Sequence, residues 1–137
     1  MTMIQKNWMK TERDEPLRGG LNEFVTITDM NTSFNARGPD GRVALTLDLG
    51  ARHRVAELRL AFGHDRVYRF DILGANAPDG DWVKIASGQS DGQARSWVRV
   101  PVTEDGPWRY VRVQGLGNNS RHMGAWFNVA GIVLIGR

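Results

Sequence analysis

Three stretches of this chain alternate apolar and polar residues with a period of two. In Val43–Leu49 the residues Val43, Leu45, Leu47 and Leu49 share one parity. In Ala56–Phe62 the apolar set is Ala56, Leu58, Leu60 and Phe62, with Glu57 and Arg59 between them. In Tyr68–Ile72 the rings and Ile72 alternate with Arg69 and Asp71. A period of two sends successive side chains to opposite faces, so each stretch is a strand with one buried face. Shorter runs predict further strands at Phe24–Thr28, Trp82–Ala86, Ser96–Val100, Arg109–Val113 and Asn128–Ile135. No stretch carries a convincing helical period.

Turn residues separate the runs. Gly63-His64-Asp65-Arg66 lies between two strongly alternating strands and reads as a hairpin loop. Pro78-Asp79-Gly80-Asp81, Ser90-Asp91-Gly92-Gln93 and Glu104-Asp105-Gly106-Pro107 read as turns. The chain has 137 residues, the size of one domain, and 16 glycines against 5 prolines. About eight short strands without a helix predict an all-β sandwich or barrel. Residues 1–21 are polar and without period, and are read as a leader or linker ahead of a domain over 22–137.

Composition excludes several classes. There is no cysteine, so disulfides, thiol catalysis and cysteine-bound zinc are excluded. The net charge is +3 with no Lys/Arg run, so nucleic acid is not an expected partner. No apolar stretch nears the roughly 20 residues of a membrane helix, and no membrane insertion is expected. The first ten residues lack the apolar run of a signal peptide. The compartment stays open at this point: extracellular or secreted if the chain is excised from a parent enzyme, cytoplasmic otherwise.

The ordered set of motifs resembles the F5/8 type C (discoidin-like) domains. The residues that carry the likeness are Val43–Gly50, Tyr68-Arg69-Phe70-Asp71-Ile72, Asp79-Gly80-Asp81-Trp82, Trp108–Val113 and Ile132–Gly136. Within that family the chain is most similar to family 32 carbohydrate-binding modules, and Gly115–Ser120 resembles modules attached to polysaccharide lyases. The likeness covers about Phe24 to Arg137. It implies an eight-stranded antiparallel jelly-roll β-sandwich, galactose-binding-like, with a ligand site on loops at one end. It also implies a glycan partner and a catalytic domain in a parent protein. The family often holds a structural calcium. Here Asp29 and Thr32 would match its N-terminal motif, with Phe34 replacing a tryptophan. Gly131 stands where the family carries a glutamate, which removes one anionic ligand from a cation that wants six to eight oxygens. No cofactor is therefore expected to be required.

Candidate ligand residues fall in three loops. The first is His64, Asp65 and Arg66, where the resemblance implies that Arg66 reaches the ligand. The competing reading is a solvated tip with a local ion pair. The second is the long run before the last strand: Asn118, Asn119, Arg121, His122 and Trp126. Planar donors and acceptors suit sugar hydroxyls, and an exposed indole stacks on the C–H face of a sugar ring. One of Trp126 and Phe127 is expected to plug the sandwich end, with Phe127 inside and Trp126 at the site. The third loop is 31–42, with Asn35, Arg37 and Arg42. Trp82, Trp97, Trp108 and Tyr110 are read as packing residues. Arg109 and Arg112 are read as structural pairing partners.

The target expected is a galacto-configured or uronate glycan, and Arg37, Arg66 and Arg121 favour an acidic one. A protein–protein interaction domain of the same fold is the alternative. Catalysis is not expected. Glycoside cleavage needs two carboxylates facing each other across a cleft, and no acid occurs from Gln114 to Arg137. No GxSxG, HExxH or phosphate-binding glycine loop occurs. The purified chain is therefore expected to release no reducing ends or unsaturated products from alginate, pectin or galactans. Sustained release, lost on mutating one Asp or His, would contradict this.

Overall fold

The computed structural model describes residues 2–4, 22–27 and 34–136, with side chains from Arg37 onward. Ten strands are present: β1 Thr2–Ile4, β2 Asn22–Ile27, β3 Phe34–Arg37, β4 Ala44–His53, β5 Val55–Phe62, β6 Tyr68–Ala75, β7 Val83–Gln89, β8 Trp97–Pro101, β9 Trp108–Asn118 and β10 Trp126–Gly136. Seven of these run from Ala44 to Gly136. Three shorter segments precede them. The count therefore differs from the eight expected, because alternation marks long half-buried strands and passes over short edge pieces. The one helical element among the described residues is a 3₁₀ turn at Pro39–Gly41.

Two sheets form the sandwich. The first has the order β1-β4-β9-β6-β7, and the second β2-β10-β5-β8, with β3 also on β10. Among the described residues all pairings are antiparallel except one. β1 runs parallel to β4, with Thr2 opposite Ala44. Thr2–Ile4 lies inside the segment read as a leader, so that reading does not hold for these three residues. Three residues are too few to show a two-residue period.

The alternation has its physical reason in the space between the sheets. Leu45 and Leu47 of β4, Leu58 and Leu60 of β5, and Phe70 and Ile72 of β6 all point inward and are fully buried. Val111 and Val113 of β9 and Val129, Ile132 and Leu134 of β10 complete the core. The expected hairpin at 63–66 is not one. β5 pairs with β10 and β8, whereas β6 pairs with β9 and β7. The loop carries the chain from one sheet to the other. Two strands that each bury one face show the same alternation whether they are neighbours or lie on opposite sides of a core. Between β4 and β10 the hairpin is β6–β7, through the turn at Pro78–Asp81.

Four loops therefore gather at one end of the sandwich: 38–43, 63–67, 90–96 and 119–125. Beneath them sits a ring cluster. Phe62 stacks on Tyr68 at 5.0 Å and on Phe70 at 5.7 Å between centroids. Phe127 meets Phe62 and Tyr68 edge-on, each at 6.0 Å. Phe127 is thus the end plug, as the sequence suggested.

The outer faces are pinned by arginines. Arg109 grips Asp48 through Nε at 2.9 Å and Nη2 at 3.3 Å. Arg112 lies 3.9 Å from the Trp82 ring centroid and donates to Thr46 Oγ1. Trp108 packs against Gly74, and Trp97 is 40% exposed. On β5, Glu57 is buried yet charged. Arg99 donates to it from Nε at 3.0 Å and Nη2 at 3.1 Å, and Arg59 adds a contact at 3.6 Å. The Arg99 hydrogen bonds hold the Glu57 carboxyl below its ordinary range, against the upward push of burial. A depressed carboxylate stabilises the fold above its unfolded value, and that contribution is lost as pH falls through the folded one. Glu57→Gln is expected to lower the melting temperature by several degrees at pH 7. The gap from wild type should close below about pH 4. Thermal melts of both proteins from pH 7 to pH 3 check this; a gap that stays constant would show that Glu57 acts by packing alone.

Candidate functional site

The loop end holds a concave pocket of about 480 Å³. Two loops and the ends of two strands make it. Arg42 comes from 38–43, Arg69 from β6, Asn118 from β9, and Arg121 and His122 from 119–125. Asp40 is the one acid in its lining. Arg42, Arg69 and Arg121 make no ion pair among the described residues. Three guanidiniums and an imidazole against one carboxylate form a concave surface of net positive charge. Low-dielectric walls focus such a field on an anion.

Glycines let these loops meet. Gly41 has φ +73°, and a Cβ there would lie 2.7 Å from Gly124 O and 2.9 Å from Gly117 Cα. Backbone thus touches backbone at the pocket floor, which a side chain would prevent. Arg69 lies over Gly117 and donates to Leu116 O at 3.4 Å. Its cross-strand neighbour on β9 is Gly117 itself, which leaves space for the guanidinium.

The residues expected from the sequence divide. Asn118, Arg121 and His122 line the pocket. Asn118 also holds its own loop: its amide donates to Met123 O and Trp126 O, both at 3.0 Å, and its Oδ1 accepts from Ser120 N at 2.7 Å. Asn119 lies outside the pocket lining and ties two loops together, with Oδ1 accepting from Val67 N at 2.9 Å. Asp65 does the same for a third loop, accepting from Ala94 N at 2.7 Å. Arg66 donates to Tyr68 Oη at 3.1 Å, and its carbonyl accepts from Ser90 Oγ at 2.9 Å. Burial raises the Tyr68 hydroxyl above its ordinary range, and Arg66 opposes that rise. His64 is exposed at the loop tip. Arg37 is exposed at the end of β3, paired across to the half-buried Trp126, and neither lines the pocket.

Sequence reasoning missed Arg69 and Asp40. Arg69 looked like an ordinary outward residue of an alternating strand. The available signal was its place as the second residue of β6, at the loop end. Asp29 and Thr32 lie outside the described residues. Gly131 sits within β10 opposite Ala61 and offers no side-chain oxygen. Among the described residues no cluster of three metal-ligating side chains occurs.

No family model matches this chain, and no curated protein matches it. Solved structures do. The family 32 module of AlyQ, in complex with 4,5-unsaturated mannuronic acid, aligns with a TM-score of 0.67 at 26% identity. The alignment covers 79% of this chain and 81% of that one. A pectin-binding module aligns at 0.64 with 17% identity, over 79% and 76% of the two chains. The family 32 module of NanJ from Clostridium perfringens, in complex with galactose, aligns at 0.62 with 13% identity, over 77% of each. The fold is that of a family 32 carbohydrate-binding module. A longer AlyQ chain, with its module and alginate lyase domains, aligns over 27% of its length.

The contact of Gly41 with Gly124 and Gly117 is testable. Gly41→Ala combines a left-handed backbone with a clash, and is expected to cost about 2–4 kcal/mol. Gly50 has φ +79° but open space around its Cβ position. Gly50→Ala should therefore show only the conformational cost of about 1–2 kcal/mol. Denaturant unfolding of the two variants compares them, and equal losses would refute the close approach of the loops.

Proposed function

We propose that this chain is a non-catalytic carbohydrate-binding module of the discoidin-like kind, and that its loop-end pocket takes a uronate residue of an acidic glycan. The observation that carries this reading is the convergence of Arg42, Arg69 and Arg121 in one concavity with a single acid, Asp40. Guanidinium matches carboxylate geometry in a bidentate way, and a neutral sugar needs no such excess of cations. The likeness to the AlyQ module, whose structure holds an unsaturated mannuronic acid, supports the choice of a uronate over a neutral galactoside. Hydrolysis by a carboxylate pair has no support in the pocket, because Asp40 stands alone there. The pocket is shallow and open, which fits micromolar to millimolar affinity.

Partner and setting follow from the same reading. The module delivers an attached enzyme to its polysaccharide, as the pairing of module and lyase domains in AlyQ suggests. A module with that task works outside the cell. On this reading no metal is required, since Gly131 brings no carboxylate where the family carries a glutamate.

Calorimetric titration with oligomannuronate tests the reading. Arg42→Ala and Arg121→Ala should each weaken binding by about fivefold to thirtyfold without lowering the melting temperature. Raising salt should weaken the uronate complex through screening, and EDTA should leave it unchanged. Wild-type affinity in both variants would move the site elsewhere. Absence of any glycan binding would favour the protein-interaction reading.

A further inference from the structure

The two sheets do not close on each other along one side. Among the described residues β7 pairs only with β6, and β8 only with β5. Between these two edges, bridged at Ile85 O by Thr103, runs a groove of about 450 Å³. Its floor is apolar: Ala86 and Val98 are half-buried against the core and Val100 is buried. Its rim is polar, with Ser87 and Gln89 exposed on β7 and Thr103 after β8. Lys84 lies at one end, exposed and without an ion pair among the described residues. No acid lines it.

One end of the groove lies beside a residue of the loop-end pocket. Arg69 lines the pocket, and its cross-strand partner on β7 is Gln89, which lines the groove. Neighbouring strands lie about 4.8 Å apart, so the backbones of these two lining residues are one strand spacing from each other. From Gln89 the groove follows β7 to Lys84, a run of about 17 Å. Trp97, 40% exposed, begins β8 at the Gln89 end.

We infer that this groove is a second glycan subsite, which takes the internal residues of the acidic polysaccharide whose uronate sits in the loop-end pocket. The inference rests on the reading of that pocket given above. An apolar floor suits the C–H faces of sugar rings, while hydroxyl, amide and edge backbone groups suit their hydroxyls. Lys84 supplies the countercharge for a carboxylate farther along the polymer. A peptide strand fits the groove less well. Thr103 already occupies the edge at Ile85 O, donating from N at 2.8 Å and Oγ1 at 3.0 Å. Pro101 lacks an N–H, and Lys84 and Arg99 flank the edges with charge, which are the features that discourage strand addition.

The test compares a short ligand with a long one. A mannuronate disaccharide reaches only the pocket, whereas polymannuronate spans both. Lys84→Glu should weaken polymannuronate binding about fivefold or more, as measured by affinity electrophoresis and calorimetry, and leave the disaccharide unchanged. Arg52→Glu, on β4 and three strands across the sheet from β7, makes the same change in net charge and should leave both ligands as in wild type. Equal effects of Lys84→Glu and Arg52→Glu on the polymer would overturn the inference, as would equal loss for disaccharide and polymer in Lys84→Glu. A wild-type dimer in sedimentation that Lys84→Glu disperses would show that the edges take a second copy, and would also overturn it. If Arg42→Ala and Arg121→Ala bind as wild type while Lys84→Glu loses the polymer, the pocket reading fails and the groove stands. If wild type binds neither ligand, both fall.

Discussion

The packing of Phe62, Tyr68, Phe70 and Phe127 is the contact on which the loop end of this protein depends. Phe62 closes β5, Tyr68 opens β6 and Phe127 lies one residue into β10. Each marks a place where the chain passes between the sheets. Their mutual contacts at 5.0–6.0 Å fix three strand ends to one another. Aromatic rings bury large areas and prefer offset or edge-on geometries, so such a cluster is both adhesive and directional. The loops above it inherit that rigidity. Gly115, whose Cβ would lie 2.7 Å from Phe127 Cδ1, shows how tightly the cluster is enclosed.

A second set of contacts converts four loops into one surface. Asn119 joins 119–125 to 63–67, and Asp65 joins 63–67 to 90–96. Ser90 Oγ bonds at once to Tyr68 N and Arg66 O, each at 2.9 Å. Gly38 N reaches Ala125 O at 2.9 Å. Short polar side chains make these ties because their donors and acceptors lie close to their own backbone and lose little freedom when fixed. The arginines do two different jobs as a result. Arg99 and Arg109 are held by carboxylates on the sheet faces. Arg42, Arg69 and Arg121 line a pocket with one acid between them, and make no ion pair among the described residues.

This division explains how far the candidate site could be read beforehand. The Asn118–Trp126 stretch stood out because amides, cations and aromatics crowd a glycine-flanked loop. That crowding does not separate residues that hold a loop from residues that face a ligand. Asn118 and Asn119 are alike in sequence, yet one bonds within its loop at the pocket wall and the other bridges to Val67. Arg66 and Arg69 are three apart. The first turns to the Tyr68 hydroxyl and the second to the pocket. The direction of a long side chain depends on which neighbours surround it, and those come from other strands.

What the sequence determined by itself is local. A two-residue period makes each of Val43–Leu49, Ala56–Phe62 and Tyr68–Ile72 a strand with one buried face, because pleat geometry depends only on the backbone. The burial of Phe127 and the turn at Pro78–Asp81 were legible for similarly local reasons. Partnership was not. Alternation is the same for a hairpin and for two strands facing each other across a core, so only the tertiary structure decided that 63–67 crosses between sheets. The pocket also belongs to that level. Its lining comes from residues as far apart as Asp40 and Ala125, brought together because Gly41 lets its backbone touch that of Gly117 and Gly124 where a side chain at position 41 would intervene.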